Sequence, residues 1–248
     1  MKEVLVKGAT LPEAYHKALI ALHDEGEIAD CADWGQGQKE LSMTMCVEQP
    51  LAEPRISKLF IGGPEELEQY RQEMLYGILD FEVEKGNWAY TYHQRYAEQI
   101  PFVIEDLKRN PSSRRAVMLV RDWKIDSKSE DPACLQHIQY FIRNGRLDCD
   151  ILFRSNDACK ATFMNAFALI CLQEMIAKEL GVEVGTYTHR ANSFHCYEKD
   201  YALLDGYCKR LAGGDFDDVT YDYEDGWKDM MEAVQPEIER RVQELKER

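Results

Sequence analysis

Residues 134–155, CLQHIQYFIRNGRLDCDILFRS, decide the fold class of this chain. Two runs, 135–143 and 147–154, alternate polar and apolar residues on either side of Asn144-Gly145. A period of two marks half-buried strands, and Asn-Gly accepts the positive φ that a type I′ turn needs at both central positions. The stretch therefore predicts a β-hairpin. Counting back from a two-residue loop pairs 143 with 146, and so 135 with 154 and 134 with 155. A register slip of one would still leave Cys134 beside Arg154 at the open end. A thiol next to a guanidinium places a nucleophile beside an anion binder.

Working outward, residues 2–7 and 40–47 read as strands, and AVMLV (116–120) as a fully buried one. Helices are expected over 11–23 with Thr10 as N-cap, 64–79, 98–110 and 162–180. The last is apolar almost all round and stops at Gly181, as a central buried helix would. The tail from 227 is helical in pattern, with Pro236 as a kink or break and Met230, Val234, Ile238, Val242 and Leu245 as its packing stripe. Strands interleaved with helices, without repeats or a linker-like stretch, indicate one α+β (mixed α/β) domain over 1–248.

Composition narrows the function. The chain has 248 residues, 45% apolar and 30% charged, enough for one substantial core. No apolar run approaches the roughly 18 residues of a membrane span, and no signal-peptide pattern opens the chain, so a cytoplasmic protein is expected. A net charge of −15 argues against a general binder of nucleic acid or anionic membrane. Any anionic ligand must be held by locally clustered arginines. The eight cysteines form no CxxC and no framework spacing, so neither disulfides nor a metal site is expected.

Several residues could carry chemistry. Cys134 alone would more often be a buried structural thiol. Pro132 and Ala133 hold it at a strand entrance, however, and cationic surroundings lower a thiol's pKa. Arg114 and Arg115 follow Ser113 between a helix and a strand, where they are either an anion clamp or surface ion pairs. Arg154 and Ser155 precede the central helix. Asn165, in the first turns of that helix, is either a polar anchor or a reader of a base edge. His195 and Tyr197, two apart, would share one face of a strand.

Four phrases in order, QIPFVIEDLKRNPSSRR (99–115), PACLQHIQYFIRNGRL (132–147), FRSNDACKATFMNAFAL (153–169) and GTYTHRANSFHCYEKD (185–200), resemble the thymidylate synthases and their relatives, the pyrimidine-nucleotide hydroxymethylases. The likeness runs over nearly the whole chain and is nearest to the short archaeal-type synthases. It implies a twisted mixed sheet flanked by helices, with the sheets of two subunits packed together in a homodimer. It also implies transfer of a one-carbon unit from 5,10-methylenetetrahydrofolate to C5 of dUMP, giving dTMP and dihydrofolate.

Carried over by position, the resemblance makes Cys134 the nucleophile that adds to C6 of the pyrimidine. Glu73 in QEMLYG corresponds to the catalytic glutamate, and Tyr92 in YTYHQR to the tyrosine linked to proton removal from C5. Arg154 and Ser155 become phosphate ligands, with Arg114 and Arg115 reaching the phosphate of the partner subunit. Asn165 would read the base, His195 and Tyr197 would hold the sugar 3′-hydroxyl, and Asp157 would contact the pterin.

The chain also departs from the pattern. Leu135 stands where many synthases carry His, and Ala161 and Phe163 stand where many carry Gly and Pro. The end, ELKER, lacks the short apolar tail that closes many synthases. Water admitted to an open site would give a hydroxymethyl product, on dUMP or on dCMP or CMP. A catalytically inert nucleotide-binding homologue is the remaining expectation.

Overall fold

A computed structural model of the chain describes residues 1–247. The expected hairpin lies inside a larger sheet. The N-terminal part runs β1 (Glu3–Gly8), α1 (Leu11–Glu25), β2 (Glu27–Cys31), β3 (Gln36–Val47) and β4 (Ile56–Ser57). Helices follow as α2 (Pro64–Tyr76), α3 (Phe81–Glu84), α4 (Tyr92–Tyr96) and α5 (Ile100–Arg109), then β5 (Val117–Leu119) and α6 (Trp123–Asp126). The hairpin is β6 (Leu135–Arg143) and β7 (Arg146–Asp157), leading into α7 (Thr162–Leu180) and β8 (Glu183–Tyr197). The chain closes with α8 (Tyr201–Gly213), β9 (Thr220–Tyr221) and α9 (Lys228–Glu247).

The main sheet has seven strands in the order β1-β3-β8-β7-β6-β5, with β2 paired to β3 off that path. Pairs β1–β3 and β7–β8 are parallel, and the rest antiparallel. The parallel β7–β8 pair needs a crossover, and α7 supplies it. Along β7 the alternation is clean: Leu147, Cys149, Ile151 and Phe153 are buried, while Asp148, Asp150, Leu152 and Arg154 are half-buried. Every residue of α7 from Thr162 to Gln173 is buried except half-buried Met164, which accounts for its apolar surface all round. Each fully buried ring, such as Phe153 or Phe167, contributes roughly 2–3 kcal/mol of transfer free energy.

The turn forms as expected. Asn144 (φ 51°) and Gly145 (φ 75°) both occupy the left-handed region, and Arg143 pairs with Arg146. The register then departs from simple counting. A bulge between Leu135 and His137 sets Leu135 opposite Phe153 rather than Arg154. Gln136, the extra residue, turns its amide back onto the Ala133 and Cys134 carbonyls at 2.8 and 3.2 Å. The tail is also corrected. It is one continuous helix through Pro236, and Met231 and Ile238 are its buried residues while Met230 and Leu245 are exposed.

That helix packs on α2. Gln235 donates to the buried Glu68 at 2.9 Å, Arg241 pairs with Glu65 at 2.5 Å, and Lys85 donates to the Leu245 carbonyl at 2.6 Å. The Glu68 carboxylate also takes both ends of the Arg71 fork at 2.7 Å, so a buried charge is fully partnered. No helix among the described residues is long and apolar enough to cross a membrane.

Candidate active site

Cys134 immediately precedes β6, and its carbonyl accepts from the Arg154 backbone N–H at 2.8 Å. The bulge is what brings these two residues opposite each other. The Arg154 guanidinium donates to the Pro132 carbonyl at 2.6 Å and to the Ala133 carbonyl at 3.1 Å. These bonds, with those from Gln136, fix the peptide that presents the thiol. The thiol itself does not behave as the sequence suggests. Burial pushes its pKa above the ordinary cysteine value, against the opposing pull of Arg154 and with help from Asp131. Within one chain the sulfur is therefore protonated at neutral pH, because desolvation outweighs a single cation.

Beyond Arg154 the ends of β7 and β8 bring the remaining strand residues together. Ser155 lies opposite Ser193, and Asp157 opposite His195. The rings of His195 and Tyr197 are 4.7 Å apart, so the shared face expected from their spacing is present. His195 Nδ1 lies 3.4 Å from Ser155 Oγ and 3.3 Å from the Ser193 carbonyl. Its Nε2 is buried with no partner, a cost of about 1–3 kcal/mol unless another molecule fills the position. Burial lowers the His195 pKa, with Asp157 opposing, and keeps the ring neutral. Asp157 is raised by burial despite accepting from the backbone of Cys159 (3.0 Å) and Lys160 (2.9 Å).

Helices α2 and α4 supply the second wall. A cavity of about 460 Å³ is lined by Tyr70, Glu73, Trp88, Tyr90, Tyr92 and Asp131, among others. Burial raises the pKa of Glu73, whose carboxylate accepts from Gln69 at 2.9 Å. Thr91 caps α4 at the Gln94 N–H and so places Tyr92, whose ring stands edge-on to Phe153 at 6.3 Å. Tyr70, one helical turn before Glu73, donates its hydroxyl to Oδ1 of buried Asn165. Glu73 and Tyr92 thus meet in one cavity, and Asn165 joins that wall through Tyr70. Sequence reading missed Tyr70. Its i, i+3 spacing from Glu73 was the available signal.

Arg114 and Arg115 lie elsewhere. Both are exposed just before β5, in a polar cleft of about 510 Å³ with Asp106 and Ser113. Asp106 is already taken by Ser113 and by Arg109 at 2.6 Å. Among the described residues neither Arg114 nor Arg115 makes a side-chain hydrogen bond or ion pair. Ser113 first, and then Arg109 and the Arg115 charge, hold the Asp106 carboxyl below its ordinary pKa.

Residues 68–245 match the family described as Thymidylate synthase. The chain belongs to the thymidylate synthase family. The matched span takes in every candidate residue from Glu73 to Tyr197. A protein of Methanocaldococcus jannaschii named "Putative thymidylate synthase" is 34% identical over 220 residues, 82% of this chain and 95% of its own length. A protein of the same name from Methanosarcina barkeri is 28% identical over 207 residues, covering 83% of this chain and 94% of the relative. In structure the chain resembles thermostable thymidylate synthase A from Bacillus subtilis, with a TM-score of 0.64 over 81% of this chain and 84% of the other. Sequence identity there is 16%, so that comparison speaks for the fold. The family's mixed sheet flanked by helices is the architecture described above.

Proposed function

We propose that this protein transfers a one-carbon unit from methylenetetrahydrofolate to C5 of dUMP, giving dTMP and dihydrofolate. One observation carries the reading beyond family membership. The wall holding Glu73 and Tyr92 is tied through Tyr70 to Asn165, inside the matched span that also contains the Arg154 clamp on the Cys134 peptide.

In this reading the Cys134 sulfur adds to C6, and the C5=C6 electrons shift towards C5 and O4, making C5 the nucleophile. The folate supplies the one-carbon unit and, when a methyl group is made, the hydride that reduces it. The aromatic walls from Trp88, Tyr90 and Tyr92 fit a flat bicyclic ring, and the family resemblance assigns its polar edge to Asp157. Glu73, its pKa raised by burial, is poised to exchange a proton with the ring's 4-position through water. Tyr92 stands on the side from which the C5 proton is drawn. Arg154 and Ser155 hold the phosphate, and His195 Nε2 with Tyr197 takes the sugar hydroxyl, filling the unpartnered nitrogen. The partner subunit's Arg114 and Arg115 complete the phosphate cradle in a homodimer. Their added positive charge favours the thiolate that one chain alone does not stabilise.

The test is covalent capture. With 5-fluoro-dUMP and methylenetetrahydrofolate, mass spectrometry should find a ternary adduct on Cys134. Cys134→Ser should abolish it and lower turnover of dUMP by at least about 10³-fold. Binding of dUMP with no adduct on the wild-type protein points instead to an inert homologue. A second reading has its own support: no α9 residue lines the cavity, because the C-terminal helix stands against α2. If water reaches the site, product forms without the rise in dihydrofolate absorbance, and the enzyme is a hydroxymethylase of dUMP, dCMP or CMP.

A further inference from the structure

We infer that Tyr70 is a positioning residue that fixes which end of the Asn165 amide faces the pyrimidine, and so makes the site prefer a carbonyl at C4 over an amino group. The inference rests on the assignment of Asn165 to the base edge made above.

An asparagine by itself is an ambivalent reader. Uracil offers an acceptor at O4 and a donor at N3, cytosine offers the reverse, and a half-turn of the amide exchanges one match for the other. In this chain the tie is broken from behind. Asn165 sits 5% exposed in the first turns of α7, its backbone N–H bonded to the Ala161 carbonyl at 2.9 Å. The Tyr70 hydroxyl, arriving from α2 across 95 residues of sequence, donates to Oδ1. Burial, reinforced by the nearby Glu73 carboxylate, holds this phenol far above its usual ionisation range, so it remains a donor. With one lone pair of Oδ1 occupied, the amide keeps an N–H for O4 and the second lone pair for the N3 proton. Turning the amide over would set its NH₂ group against the hydroxyl and leave the phenol proton without its acceptor. Tyr70 also lines the cavity beside Glu73, so the orienting residue and the glutamate share one helical turn.

The experiment compares dUMP with dCMP. Dissociation constants are measured by calorimetry and kcat/KM with the folate present, for wild type and Tyr70→Phe, which keeps the ring and removes the hydroxyl. The expected result is a fall of about tenfold in the dUMP-to-dCMP preference, the worth of one net hydrogen bond. The change should fall in KM more than in kcat, with the melting temperature near that of wild type. An equal loss for both nucleotides, or an unchanged ratio, overturns the inference. Tyr70→3-fluorotyrosine, which strengthens the donor on a retained scaffold, should move the ratio the other way and guards against a poorly folded Phe variant. A wild-type protein that binds neither nucleotide sinks the site assignment itself and the Tyr70 role with it. One that binds dUMP with a preference indifferent to both variants sinks the Tyr70 role alone.

Discussion

Arg154 and the Arg114–Arg115 pair are the same chemistry in opposite states. Arg154 is half-buried, and two of its five N–H donors already go to the carbonyls of Pro132 and Ala133. Arg114 and Arg115 stand exposed before an edge strand and make no side-chain hydrogen bond or ion pair among the described residues. In a protein of net charge −15, where carboxylates abound, two adjacent free guanidinium groups are unexpected. The contrast separates two jobs. A cation half engaged at home shapes the backbone around the nucleophile and keeps donors for a phosphate, whereas an unengaged cation contributes only when another molecule brings the acceptor.

The largest effect expected from this contrast comes from mixing inactive variants. Cys134→Ser and Arg115→Ala should each be nearly dead as homodimers. Subunit exchange should create heterodimers with one intact site, restoring roughly a quarter of wild-type activity at equal proportions. No recovery after demonstrated exchange would mean that the arginine serves its own chain. A middle-sized effect concerns stability. Arg154→Met strands the Pro132 carbonyl, leaves that of Ala133 with Gln136 alone, and should cost about 1–2 kcal/mol in urea unfolding, while Arg115→Met should stay within about 0.5 kcal/mol. Equal losses would erase the distinction.

The smallest effect tests the other wall. Glu73 has its folded-state pKa raised by burial, so its stabilising contribution is complete below the ordinary carboxylate range and is lost as pH rises through the folded value. Glu73→Gln stays neutral and keeps an acceptor for Gln69. It should be more stable than wild type near pH 8, by on the order of 1 kcal/mol at most, and indistinguishable from it near pH 4. A variant less stable than wild type near pH 8 would show that the charge is satisfied rather than strained.

These tests also mark what could be read from residues alone. The turn at Asn144-Gly145 and the whole of α7 were legible because each carries a local signal: two residues suited to positive φ, and an apolar run closed by a left-handed glycine at φ 66°. His195 and Tyr197 were legible because strand periodicity alone puts them on one face. The bulge at Gln136 was not, since a glutamine in an alternating run gives no sign that its amide will fold back onto the carbonyls two and three residues before it. The protonation of Cys134 was not legible either. The sequence names the cation beside it but not the depth of burial that opposes that cation. The bond between Tyr70 and Asn165 joins two elements with no local pattern in common. Met231 displaced Met230 from the packing stripe because the docking angle of α9 is set by α2, not by α9's own pattern.

The bracing of α2 by α9 carries a consequence for biosynthesis. The helix bearing Tyr70 and Glu73 leaves the ribosome more than 150 residues before its buttress, given that α2 ends at Tyr76 and α9 begins at Lys228. Until that final segment emerges, Glu68 lacks its bond from Gln235, and Glu65 its charge partner Arg241. The wall of the cavity that α2 forms therefore gains its brace from α9 only after most of the chain has been made.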